Sequence, residues 1–262
     1  MTLATHVAIG NIGSMTFHAA VLTPDHSADD GLNHFGGKPL AGHSPWPTHS
    51  NEAGKPLHLI AQISCDELRR SVSGTPLPES GVLQFYLDST QFVDTDERAP
   101  CAVVWQKDPI LGRYLAPPTS LTVIGGYAWS DLYPGLPDKE FAPTELPKTP
   151  LRMTPIHSTA DNVIEDLAKQ RGNHWNIKEE LIGPWLAWHQ ALGQPPQESG
   201  GGPLSYYPEL ADYQMLLRLC VDPSVGLLWD GHHNPILSYW IPKTDFAAAR
   251  WDRAIAVWSD YI

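Results

Sequence analysis

Asp230-Gly231-His232-His233-Asn234 is the densest polar run in the chain. A carboxylate beside two imidazoles has the donors to hold a metal ion or to relay a proton. The run lies between two apolar, strand-like segments and is flanked by Trp229 and Pro235. Polar loops placed by rigid strands are common locations for sites. It also has a purely structural reading, because Asp-Gly and Asn-Pro are turn formers. Two glutamines, Gln62 and Gln84, fall in strand runs among apolar neighbours. A buried amide must be hydrogen-bonded, so each either faces a cleft or satisfies a nearby backbone group. Trp46 stands between two prolines, rigid enough to anchor a partner and equally able to cover the edge of a core. The candidates for partner or ligand binding are therefore Trp46, Gln62, Gln84, Trp229, Asp230, His232, His233 and Asn234. No residue is assigned a catalytic role or a metal.

Other chemistries find little in the sequence. Seven of the 12 histidines (His6, His18, His26, His34, His43, His49, His58) crowd the first 58 positions. Their spacing is irregular, with no HxxxH or HExxH pattern, and they read as polar loop residues rather than a ligand set. There is no GxSxG elbow. Cys65, Cys101 and Cys220 are odd in number and far apart, with no CxxC pair, and read as buried free thiols in a reducing, cytoplasmic setting. Gly10-Asn11-Ile12-Gly13 and Gly200-Gly201-Gly202 lack the Lys-Ser/Thr of a phosphate loop, so no cofactor is expected.

The charge balance narrows the partners. Seventeen basic against 29 acidic side chains leave a net charge of −12. Nucleic acid backbones draw their affinity from cations, so that class is disfavoured, as is an anionic membrane. A basic protein is permitted. No segment approaches the roughly 20 apolar residues of a membrane span, and the N-terminus lacks the marks of a signal peptide.

Gly and Pro are abundant, with 21 and 25 residues, which predicts many turns and short elements. Strands are expected at 16–22, 57–63, 82–88, 101–105, 121–124, 215–221 and 236–241. Cys65 to Arg70 reads as a short helical turn, residues 39–56 as irregular or extended, and the proline-rich 133–155 as a surface connector. Ser158 or Thr159 caps a predicted helix ending at Gly172, and Asn176 a second that Pro184 should kink. A third helix is expected from Thr244, because Trp251, Ile255, Trp258 and Ile262 share one face at helical spacing. The pair of runs at 57–63 and 81–86 is echoed by 214–219 and 235–240, so a duplicated unit is expected.

These residues carry a resemblance. Gly36-Gly37-Lys38-Pro39, Pro45-Trp46-Pro47, the run Pro56 to Ile63 and the run Leu77 to Tyr86 resemble the bacterial YwqG-like family, a domain of unknown function. His189-Gln190-Ala191-Leu192-Gly193 with Gln197, Leu216 to Cys220, Leu228-Trp229-Asp230-Gly231, Tyr239-Trp240-Ile241 and Asp245-Phe246 are similar to it as well. The family usually carries Trp-Gly-Asp before its last strand, where this chain has Trp229-Asp230-Gly231. The resemblance implies an α+β fold with an internal repeat and a cytoplasmic bacterial protein, and brings no established reaction.

The expected architecture is α+β, mostly antiparallel β with a few helices, internally duplicated. It is one domain with pseudo-repeat halves at about 34–130 and 185–262, joined by a proline-rich and helical connector. The expected function is a protein-binding module, in concrete form an immunity or antitoxin-type inhibitor of a basic toxin. The alternatives are a metal-dependent or acid/base hydrolase using Asp230, His232 and His233, and a small-ligand-binding domain with a pocket between the halves.

Overall fold

β-branched, aromatic and leucine residues fill the runs that become strands, and turn residues punctuate them. In the computed structural model the described residues are 17–25, 27, 31–49, 52, 54–72, 74–88, 98–121, 146–158, 189–193, 203–220, 222, 225–227 and 236–259. Their strands are β1 (Phe17–Pro24), β2 (His34–Phe35), β3 (His58–Ser64), β4 (Val82–Leu87), β5 (Arg98–Ala99), β6 (Cys101–Gln106), β7 (Thr149–Ser158), β8 (His189–Ala191), β9 (Tyr213–Leu219), β10 (Ile236–Pro242) and β11 (Ile255–Ser259). Three short helices accompany them: α1 (Cys65–Ser71), α2 (Pro203–Tyr206) and α3 (Lys243–Ala247). Among the described residues no helix is long and apolar enough to cross a membrane.

All eleven strands join one antiparallel sheet in the order β5-β11-β10-β9-β8-β1-β7-β2-β3-β4-β6. Its two end strands, β5 and β6, are separated in the chain by Pro100 alone. The backbone therefore steps from one edge of the sheet to the other, and the sheet is nearly closed, like a barrel. Closure removes the unpaired edges that make open sheets liable to aggregate. At the seam the Pro100 carbonyl accepts from the Asp88 N–H at 2.9 Å, and Cys101 Sγ lies 3.8 Å from the Ala254 carbonyl.

The α+β expectation is thus corrected to a mostly antiparallel β fold. The largest change is at the C-terminus, where the predicted helix is replaced by the five-residue α3, a turn of 3-10 helix at Trp251–Arg253 and strand β11. Ala256, Val257 and Trp258 are all buried, because β11 packs against apolar layers on both faces. A strand buried on both sides shows no alternation, so chance helical spacing prevailed over it. Residues 149–155 are likewise strand rather than connector, despite Pro150 and Pro155, each of which lacks the N–H of a ladder bond. The predicted helices ending at Gly172 and beginning at Asn176, and residues 122–124 of a predicted strand, lie outside the described residues.

Two four-strand runs flank the long β1–β7 pair. Strands β2, β3, β4 and β6 begin at residues 34, 58, 82 and 101, and β8, β9, β10 and β11 begin at 189, 213, 236 and 255. Their registers agree residue by residue. The row His34↔Gln62↔Gln84↔Val104 in one run matches Gln190↔Arg218↔Ser238↔Val257 in the other. Phe85 and Tyr239, which correspond, meet edge to face at 5.2 Å in the main core between the runs. The outer faces also correspond. Leu57, Leu59, Tyr86 and Val104 are covered by Trp46, while Tyr213, Met215, Trp240 and Val257 are covered by Tyr207 and Leu210.

Candidate functional site

Three of the sequence-derived candidates converge on the outer face of β3 and β4. Gln62 Oε1 accepts from the Leu40 N–H at 2.9 Å and from Gln84 Nε2 at 3.0 Å, and Gln62 Nε2 donates to the Leu32 carbonyl. Gln84 Nε2 also donates to the Leu40 carbonyl at 2.9 Å, and Gln84 Oε1 accepts from the Tyr86 hydroxyl at 3.1 Å. Trp46 stacks edge to face on Tyr86 and donates its indole N–H to the Leu57 carbonyl at 2.8 Å. Both amides are buried, and the bonds pin the irregular 39–49 segment onto the sheet. Such fully bonded buried networks fix a conformation, and they leave little capacity for a ligand. The other five candidates, Trp229, Asp230, His232, His233 and Asn234, lie outside the described residues.

A charged cluster sits beside this network. Among the described residues His49, Glu52 and Asp88 form a group of three metal-type donors. Asp88 is buried at the end of β4, and Lys55 Nζ lies 2.7 Å from its Oδ2 and 3.5 Å from Glu52 Oε2. The hydrogen bond to Asp88 raises the Lys55 pKa, so its ammonium is held charged. The Glu52 N–H points at His49 Nδ1 at 3.0 Å, which leaves the ring proton on Nε2, 3.6 Å from Asp88 Oδ2. A metal at Nε2 would need that nitrogen bare and Nδ1 protonated. With Lys55 already neutralising the carboxylate, the donor set suits an ion-pair network and not a cation.

A second histidine lies in the other run. His189 is buried on β8; its Nδ1 accepts from the Cys220 N–H at 3.3 Å and its Nε2 donates to Asp222 Oδ2 at 3.2 Å. Burial lowers its pKa, outweighing the adjacent carboxylate, so the ring is neutral. The corresponding place in the first run holds Asn33. Its Oδ1 accepts from the Ser64 N–H at 2.7 Å and its Nδ2 donates to Glu67. Two different side chains thus do the same work, tying a short strand to the chain that leaves the next one. Cys65 and Cys101 are poor nucleophiles, since their dry surroundings push both thiols up to about 12.

The span that carries this framework begins at Asn33 and ends at Ser259, the last residue of β11. A family model described as a domain of unknown function, DUF1963, matches residues 33–259. The chain belongs to that family. No curated protein matches it. In this DUF1963 chain the residues to which sequence reasoning gave no site role are Asn33, Lys55, Asp88, His189 and Asp222. Their partners lie about thirty residues away or more, so no local motif announces them. The one available signal was alignment of Asn33-His34-Phe35-Gly36-Gly37 with His189-Gln190-Ala191-Leu192-Gly193, in which Gly36, Gly37, Leu192 and Gly193 all have positive φ.

Proposed function

We propose that this chain is a cytoplasmic bacterial protein-binding module of the YwqG-like type that acts by contact, in concrete form an immunity or antitoxin-type inhibitor seated in the basic cleft of a toxin. On this reading it is one domain of two pseudo-repeat halves, about 34–130 and 185–262. The observation that carries it is the net charge of −12. Lys55, Arg69, Arg70, Arg98, Arg250 and Arg253 each face a carboxylate, so each is neutralised locally and the net charge of −12 sets the field at a distance. Such a field raises the association rate with a basic protein and orients it on approach. The raised thiol pKa of Cys65 and Cys101, the bonded glutamines and the neutral, buried His189 favour contact over covalent chemistry.

The test is affinity capture from the native cell at low ionic strength, read by quantitative mass spectrometry. The expected result is one basic protein in near-stoichiometric yield, released by about 0.5 M salt, where screening acts within a few ångström. Recovery of no basic protein at low salt overturns the reading. So does a stoichiometric transition metal lost on changing His232 and His233 to alanine, which would favour hydrolysis at Asp230 instead.

A further inference from the structure

One surface departs from the acidic character of the molecule. After β6 the chain turns at Ile110-Leu111-Gly112-Arg113, where the Arg113 N–H donates to the Ile110 carbonyl at 3.0 Å. Gly112 has φ of 74°, the third-position conformation of a type II turn, which a side chain would strain. Leu111 occupies the tip and is 71% exposed, with Ile110 at 47% and Tyr114 at 41%. The turn is held in place. Ile110 N–H donates to the Ala41 carbonyl, Ala41 N–H to the Arg113 carbonyl and Leu115 N–H to the Pro39 carbonyl, each at 2.8–2.9 Å. A turn whose backbone is already held by hydrogen bonds has little backbone freedom left to lose on binding.

The charges around this tip are mostly basic. Lys38 precedes the strip bonded to the turn, Lys107 opens the loop, Arg113 closes the turn, and Lys148 Nζ lies 5.8 Å from the Tyr114 ring centroid. Lys38, Lys107 and Arg113 are exposed, and none of them forms an ion pair among the described residues, in contrast to the six cations that face carboxylates elsewhere. Asp108 is the one acid in the loop.

We propose that the Ile110–Tyr114 turn is a second docking face, which inserts Leu111 into an apolar pocket of a partner protein whose rim carries carboxylates. Exposed apolar side chains clustered on one surface mark interaction sites. Exposed cations that form no ion pair among the described residues surround them and select the acidic rim by charge complementarity. A lipid surface is disfavoured because an anionic leaflet repels a molecule of net charge −12. Four cations are also too few to grip a nucleic acid backbone against that field. The face is independent of the acidic surface invoked for the basic partner, and its sign is opposite.

The experiment pans a random 12-residue peptide phage library on the full chain and measures synthetic versions of the enriched peptides by fluorescence anisotropy. Vesicles containing phosphatidylserine and a single-stranded DNA oligonucleotide serve as parallel probes. The expected peptides place a large apolar residue among Asp and Glu. Leu111→Ser, and the combined Lys38→Glu, Lys107→Glu and Arg113→Glu, each weaken them about tenfold or more, with circular dichroism and thermal midpoint unchanged. The triple reversal leaves capture of a basic partner intact, which separates this face from the acidic surface. No enrichment, enrichment of basic peptides, unchanged affinity in both variants, or binding of vesicles or DNA without acidic peptides would each overturn the proposal.

Discussion

At the scale of the residue, the pair His189 and Asn33 makes the most specific claim. Both accept a backbone N–H at corresponding places, from Cys220 and from Ser64. His189→Asn should therefore keep the acceptor and cost little, whereas His189→Ala removes the acceptor of a buried backbone N–H and should cost about 1–3 kcal/mol. Urea denaturation of the two variants distinguishes them, and equal losses would contradict the assigned role. The same imidazole gives the fold a pH dependence of known sign. Burial holds its pKa below the ordinary 6.5, so the unfolded chain binds the extra proton first. The stability it contributes is present above about 6.5 and is lost as pH falls below that value. His189→Asn should flatten that part of the stability profile, and a profile unchanged by the substitution would contradict it. A parallel expectation holds for the amide network. Gln62→Ala strands the Leu40 N–H and part of Gln84, at about 1–3 kcal/mol by the same measurement.

At the scale of the element, strand β11 is the decisive case. Helical spacing at Trp251, Ile255, Trp258 and Ile262 puts Val257 off the apolar face, where a carboxylate would be tolerated. In the strand Val257 is buried and pairs with both Ser238 and Arg98. Val257→Asp should thus cost about 3 kcal/mol or more, through burial of a carboxylate in the apolar cluster of Tyr207, Leu210, Met215 and Trp240. A neutral effect would restore the helix. The contrast explains which elements could be read in advance. Val82–Leu87 and Cys101–Gln106 announce themselves through β-branched and aromatic runs bounded by turn residues. Strand β7 does not, since its prolines argue for a loop, and pairing with β1 over Leu151–Ser158 and with β2 at Thr149 and Pro150 overrules them. Gln62 and Gln84 were visible as strand amides in need of partners. Their bonds to Leu40 and Leu32 were not, because the partners lie on a segment with no periodicity of its own.

At the scale of the molecule, closure and charge set the behaviour. Pro100 carries the backbone across the seam between β5 and β6, so the two runs enclose one core. The match to DUF1963 covers both runs, from Asn33 to Ser259, and leaves out β1. What the sequence could not reveal at this scale is the seam itself, since a single proline between two short strands carries no signal of closure. Net charge, by contrast, is plain from composition and is the basis of the functional account. The most direct measurement is the association rate of the captured basic partner as a function of ionic strength, by stopped-flow fluorescence. Steering by a charge of −12 predicts a fall of about tenfold or more between about 20 and 150 mM salt with a much smaller change in dissociation rate. An association rate that is flat or rises with salt would contradict the account.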